Sequence, residues 1–290
     1  MSNDFTMDDF NSMIGVMEEE KNAGGYVSPY WKPKADGTYK LRILTPMSQF
    51  GEKLFYQKHK MHYVNNRAYF CLHQTLTDKN GNVHESESCP ICAKSSQLYN
   101  SSVKGTKEWD LAGQLRAKDR YVSRVIVRGK TDKDGNNTES TPEFWEFGQK
   151  IHDYFFNTIK MGEYGNFLSL RDGRDYNLVK KGTGRNTNYD GSGLSIKQSM
   201  IFENKEDLVT LMEKLKDMSY SKLVEFASKE ELENAIKEQL NNKEESSNDT
   251  VVINDSLDPF SQPADSVNPV ANNSSEKEES IDDLLNMMMG

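Results

Sequence analysis

The residues best suited to chemistry in this chain are Cys89-Pro90-Ile91-Cys92 and a third thiol, Cys71. A C-x2-C turn brings two thiolates onto one ion, and zinc takes four soft or borderline ligands in a tetrahedron. All three cysteines fall within residues 71–92, and histidines crowd the same stretch at His59, His62, His73 and His84. His62 is the favoured fourth ligand, because it opens HYVNNRAYFC, where an Asn65-Asn66 turn would fold it back onto Cys71. Spacing alone leaves the other three histidines open. A set of three cysteines and one histidine keeps no coordination position for water or substrate, so the expected zinc is structural and single. A deaminase needs H-x-E ahead of P-C-x-x-C, and here the proline follows the first cysteine instead. No carboxylate cluster at ligand spacing suggests a nuclease, so no catalytic residue is assigned. Three thiols cannot close a disulfide framework, which points to a reducing compartment.

A second set of residues is spread along the chain. Tyr69, Tyr99, Trp109, Tyr121, Trp145 and Tyr189 stand near Arg116, Lys118, Arg124, Lys180, Lys181 and Arg185. Flat side chains interleaved with bases suit a single strand of nucleic acid, whose bases stack at about 1–3 kcal/mol each while Lys and Arg follow the phosphates. A duplex would hide the base faces. Any one tyrosine or tryptophan in a strand is more often core, and alternation in RYVSRVIV could turn Tyr121 inward. The expectation rests on the set.

These residues must be held by short elements. Thr38 to Leu44 and Arg120 to Val127 alternate as half-buried strands, and KTDKDGNN followed by Phe144 to Phe147 predicts a hairpin. Ile151 to Met161 predicts a helix in which His152 is packed among aromatics. Tyr176 to Val179 and Leu194 to Ile196 predict strands around a glycine-rich loop at residues 182–193. Two helices close the body: one carries Leu208, Leu211, Met212, Leu215 and Met218 at helical spacing, and the other starts at a Ser228/Glu231 capping box. Residues 1–25 predict an acidic arm with Phe5, Phe10, Met13, Ile14 and Met17 at near-helical spacing. Residues 241–290 are too polar to offset chain entropy and predict a disordered tail. That tail ends in Ile281, Asp282, Asp283, Leu284 and Leu285, an acidic-hydrophobic composition suited to partner binding.

The net charge of −9 hides an asymmetry. Residues 1–20 hold six acids and no base, residues 21–200 hold 28 bases and 18 acids, and residues 241–290 hold two bases and eleven acids. A basic body attracts polyanions, and an acidic tail attracts basic surfaces, including its own. There is no run of 18 apolar residues and no secretory signal at the N-terminus.

WKPK at residues 31–34, SCPIC, Leu98-Tyr99-Asn100, Lys107-Glu108-Trp109, RYVSRVIV, FWEFGQKI, Asn188-Tyr189-Asp190 and the closing IDDLL resemble, in order, the single-stranded DNA-binding proteins of T-even bacteriophages. The resemblance implies an α+β fold: an OB-fold-like β-barrel core over residues 26–240, a zinc-binding subdomain at about 55–105, C-terminal helices and a disordered acidic tail. It places zinc on His62, Cys71, Cys89 and Cys92. Stacking falls to Tyr69, Tyr99, Trp109, Tyr121, Trp145 and Tyr189, with Arg116 and Lys118 in a basic cleft. It further implies a non-enzymatic coat on single strands in replication, recombination and repair within the host cytoplasm. Self-association along DNA and tail-recruited replication and recombination partners complete the picture. The family's N-terminal arm is basic, whereas residues 1–20 here carry no Lys or Arg, which puts arm-driven cooperativity in question. The rival expectation is a zinc-containing RNA-binding or transcription-associated protein.

Overall fold

A computed structural model describes residues 28–131 and 135–245. The side chains of Arg185 and of residues 242–245 lie outside that description. So do the arm, the tail and, with the tail, Ile281, Asp282, Asp283, Leu284 and Leu285. Among the described residues, ten strands and five α-helices make a mixed α+β fold. Among the described residues no helix is long and apolar enough to cross a membrane.

The centre is β7 (Lys118–Val127), which carries RYVSRVIV. One edge pairs with β8 (Glu143–Phe147); the other pairs with β3 (Tyr56–Val64) along its first half and with β2 (Gly37–Ile43) along its second. From β2 the sheet continues antiparallel through β9 (Gly173–Lys180) to β10 (Gly193–Ser199). On the far side β1 (Tyr30–Trp31) joins β8 in parallel. The strand path β1-β8-β7-β2-β9-β10 is open, and β4 (Arg67–Phe70) hangs on β3 alone. The expected β-barrel is therefore not closed. A separate two-stranded ribbon pairs β5 (Leu76–Thr77) with β6 (Val83–His84).

β7 is buried from Tyr121 to Val127 on both faces, so its alternation does not separate core from solvent. One face lies in a core of Leu41, Val125, Trp145, Phe147, Phe155 and Tyr176, covered by α3 (Gln149–Met161). On the other, Ile126 packs with Leu208, Leu211 and Leu215 of α4 (Lys205–Leu215). The buried charges on these strands are met by ion pairs. Arg42, fully buried on β2, bonds Asp175 at 2.8 Å. Gly173 is required beside it, since an added Cβ would lie 2.5 Å from the Arg42 Nη1 and 2.1 Å from the Ser169 carbonyl.

A second core binds residues distant in sequence. Val64, Cys71, Leu72, Cys89 and Ile91 pack with Leu111 and Leu115 of α2 (Lys107–Leu115) and Leu232, Ala235 and Ile236 of α5 (Lys229–Glu245). The expected capping box starts α5: the Glu231 amide donates to Ser228 Oγ at 3.2 Å, and the Ser228 amide donates to the Glu231 carboxylate at 2.7 Å. The Asn65-Asn66 turn also forms, with φ of 49° and 61°, values a type I′ hairpin needs and asparagine tolerates. Its Asn65 amide donates to Gln239 of α5 at 2.9 Å, so the last helix clamps the hairpin.

Candidate metal centre and nucleic-acid interface

The hairpin β3–β4 supplies His62 and leads straight into Cys71. Cys89 is the residue that caps α1 (Pro90–Ser101), and Cys92 sits in its first turn. Pro90 at the first helical position fixes the entry angle without losing a needed amide. The four ligand atoms of His62, Cys71, Cys89 and Cys92 lie within 4.8 Å of one another. His62 Nε2 is 3.4 Å from Cys89 Sγ and 3.5 Å from Cys92 Sγ, and Cys71 Sγ is 3.5 Å from Cys92 Sγ. A tetrahedral zinc with bonds of about 2.3 Å to sulfur and about 2.0 Å to nitrogen sets ligand separations of about 3.6–3.8 Å. The three separations of 3.4–3.5 Å are close to that size, within a cluster no wider than 4.8 Å.

Orientation is built in as well. His62 Nδ1–H donates to the Leu115 carbonyl at 2.7 Å, leaving the Nε2 lone pair toward the sulfurs. Burial pushes the His62 imidazole down. Hydrogen bonds to Cys71 and Cys89 outweigh that and raise it to about 9, so proton and ion compete for Nε2. The neighbouring Cys71 and Cys92 thiols hold Cys89 well below the usual thiol range. The other histidines are elsewhere. His59 is buried against Phe70, with both ring nitrogens unpartnered, and burial lowers it to about 4. His84 stacks on Phe226 at 3.8 Å, and His73 is exposed. The residues present can hold one metal ion, and His62 completes the set.

The nucleic-acid candidates divide into two groups. Tyr69, Tyr99 and Trp109 are half-buried, on β4, α1 and α2, around the second core. Tyr99 and Trp109 meet edge to face at 4.6 Å, because α1 and α2 pack as neighbours. Arg116, just after α2, and Lys118, the first residue of β7, are exposed, as is Lys181. Tyr189 is half-buried beside the first core.

The second group is corrected by the structure. Tyr121 and Trp145 are each 3% exposed, locked into the first core, and cannot offer a ring face from there. Arg124 is 1% exposed between the rings of Tyr220 and Phe50, ion-paired with Glu52, with its Nε donating to the Met218 carbonyl. Lys180 is buried too, bonding Asp36 at 3.2 Å and the Gly182 carbonyl at 2.9 Å. For Tyr121 and Arg124 the cause is that β7 is covered on both faces. Arg185 lies in the turn Gly184–Asn186, with its side chain outside the described residues.

Hydrophobic spacing predicts neither α1 nor α2. Both carried a readable signal: Pro90 after Cys89, and Thr106, whose hydroxyl accepts from the Trp109 amide at 3.4 Å. A half-buried aromatic pair, Trp31 and Tyr39, 5.6 Å apart, also went unread; their separation in sequence hid it.

A large, mostly antiparallel sheet covered by helices and joined to a Cys3His cluster defines a mixed α+β protein with four ligand atoms placed to hold one metal ion. The family model described as gp32 DNA binding protein like matches residues 35–240, more than half of the chain. The chain belongs to that gp32-like family of DNA-binding proteins, as the order of its motifs implied. No curated protein matches it.

Proposed function

We propose that this protein coats single-stranded DNA, largely without reading sequence, during phage replication, recombination and repair in the host cytoplasm. The observation that carries the reading is the family match across residues 35–240. Half-buried Tyr69, Tyr99, Trp109 and Tyr189 beside exposed Arg116, Lys118 and Lys181 supply the ring faces and charges such binding requires. The protein acts by binding and performs no catalytic step. Zinc, at His62, Cys71, Cys89 and Cys92, holds the elements carrying three of those aromatics, and the core is an open variant of the OB type.

Residues 241–290 recruit replication and recombination proteins, with Ile281, Asp282, Asp283, Leu284 and Leu285 as the contact peptide. The arm associates neighbouring copies along the strand through Phe5, Phe10 and Ile14 rather than through charge.

Titrating tryptophan emission with an oligo-dT tests the reading. Quenching is expected, with log K falling against log salt at about −0.7 per phosphate contacted. Absence of both would overturn it. The same titration with oligo-rU decides between DNA and the RNA-binding alternative: comparable or tighter RNA binding favours the latter.

A further inference from the structure

Tyr121 is the innermost-looking member of the expected stacking set, yet its ring belongs to a column that reaches the surface. Phe147 and Tyr121 lie near-parallel at 5.7 Å and 19°. Tyr121 and His152 lie near-parallel at 4.0 Å and 16°. The first two are 3% exposed, whereas the His152 side chain is 18% exposed. His152 is thus the outermost ring of the column, and among the described residues no aromatic ring stacks on its other face.

The ring is held on every polar atom. Tyr56 Oη lies 3.0 Å from His152 Nε2, and Asp153 Oδ1 lies 3.3 Å from Nδ1. The Tyr56 ring buttresses its edge at 5.2 Å and 85°. Beneath it, Tyr121 Oη donates to Gln149 at 2.7 Å, and Gln149 donates to Asp153 at 2.7 Å. A flat ring fixed in this way loses little freedom when another ring stacks on it.

Its surroundings belong to the proposed strand path. Lys150, two residues earlier on α3, bonds Asp190, the neighbour of Tyr189. On the other side Lys58 lies 5.9 Å from the Tyr121 ring centroid and pairs with Asp119, next to exposed Lys118.

We propose that His152 is a base-stacking platform, which extends the Phe147–Tyr121 column by one nucleobase of the bound strand. The sequence offered Tyr121 for this role; the fold transfers it to the histidine that covers Tyr121. The inference rests on the single-strand reading above and adds a contact residue to it.

Two measurements on the full chain test it. His152→Ala is expected to weaken oligo-dT binding roughly ten-fold, and His152→Phe to retain most of the affinity. Neither should change the salt slope, since a stacked base carries no phosphate contact. In the wild type, the His152 imidazole proton signals, assigned by their loss in His152→Phe, should move upfield on oligo-dT addition. A purely structural histidine would not give that shift. If wild type binds oligo-dT while the imidazole signals stay put, or a folded His152→Ala binds as tightly, the platform is overturned and single-strand binding stands. If wild type does not bind, the underlying reading falls. Should His152→Ala not fold, the wild-type shift and the Phe variant still decide.

Discussion

Around the Cys3His cluster, Tyr69, Tyr99 and Trp109 remain half-buried, whereas in the sheet core Tyr121 and Trp145 are almost wholly enclosed. Both regions contain aromatics beside bases, and in sequence they look alike. They differ in what supplies cohesion. The sheet core spans β2, β7, β8, β9 and α3 and fills its volume with Phe55, Tyr121, Trp145, Phe147, Phe155, Phe167 and Tyr176. Large rings serve there as packing, because each buries a large apolar area. The smaller region has short helices, a hairpin and four ligand atoms within 4.8 Å. An ion in that cluster ties the chain at four points and frees aromatics for the surface. Bases follow the same division: Arg124 and Lys180 are buried in ion pairs, while Arg116 and Lys118 face solvent.

The largest effect should come from the metal. Chelation, or Cys89→Ser, is expected to unfold the hairpin, α1 and α2, since structural zinc contributes on the order of 10 kcal/mol in small domains. Hydrogen exchange should show protection lost over residues 62–115 and kept in β2, β7 and β8. Equal loss in both regions, or none, would break the contrast.

Next come the buried members of the sheet core. Trp145→Ala should cost about 3–5 kcal/mol in urea unfolding through cavity formation. Arg124→Met should cost a similar 3–5 kcal/mol by stranding Glu52. In each, the protein that remains folded should bind oligo-dT with unchanged salt slope. A clear fall in affinity without loss of stability would return these residues to the interface.

Trp109→Ala and Tyr99→Ala should do the reverse. Affinity should fall by about 1–3 kcal/mol per lost stack, with less loss of stability than Trp145→Ala. Arg116→Ala and Lys118→Ala should each make the salt slope shallower by about 0.7, with melting unchanged. The smallest effect concerns the clamp on the hairpin. Ser228→Ala removes the cap of α5 and should cost about 1 kcal/mol, read as a lowered melting temperature.

Much of this was legible in the chain. The thiols of Cys71, Cys89 and Cys92 announced a site because C-x2-C spacing and an odd cysteine count restrict their chemistry. His62 was favoured because a two-asparagine turn places it opposite the strand leading to Cys71, and the register His62 with Tyr69 bears that out. The box at Ser228 and Glu231 was readable because a cap is a contact between residues three apart. The order of motifs carried the family.

What the chain could not say is which faces are covered. Alternation in RYVSRVIV is a local property, but the burial of Arg124 depends on Glu52, Met218 and Tyr220, far away in sequence. The same holds for Lys180, enclosed by Asp36, and for Tyr121, roofed by His152. Local spacing determines turns, caps and ligand sets, since their partners lie within a few residues or share a hairpin. Exposure is decided by elements that arrive from elsewhere, so only the tertiary structure sorted the aromatics and bases into those enclosed in a core and those left partly or fully exposed.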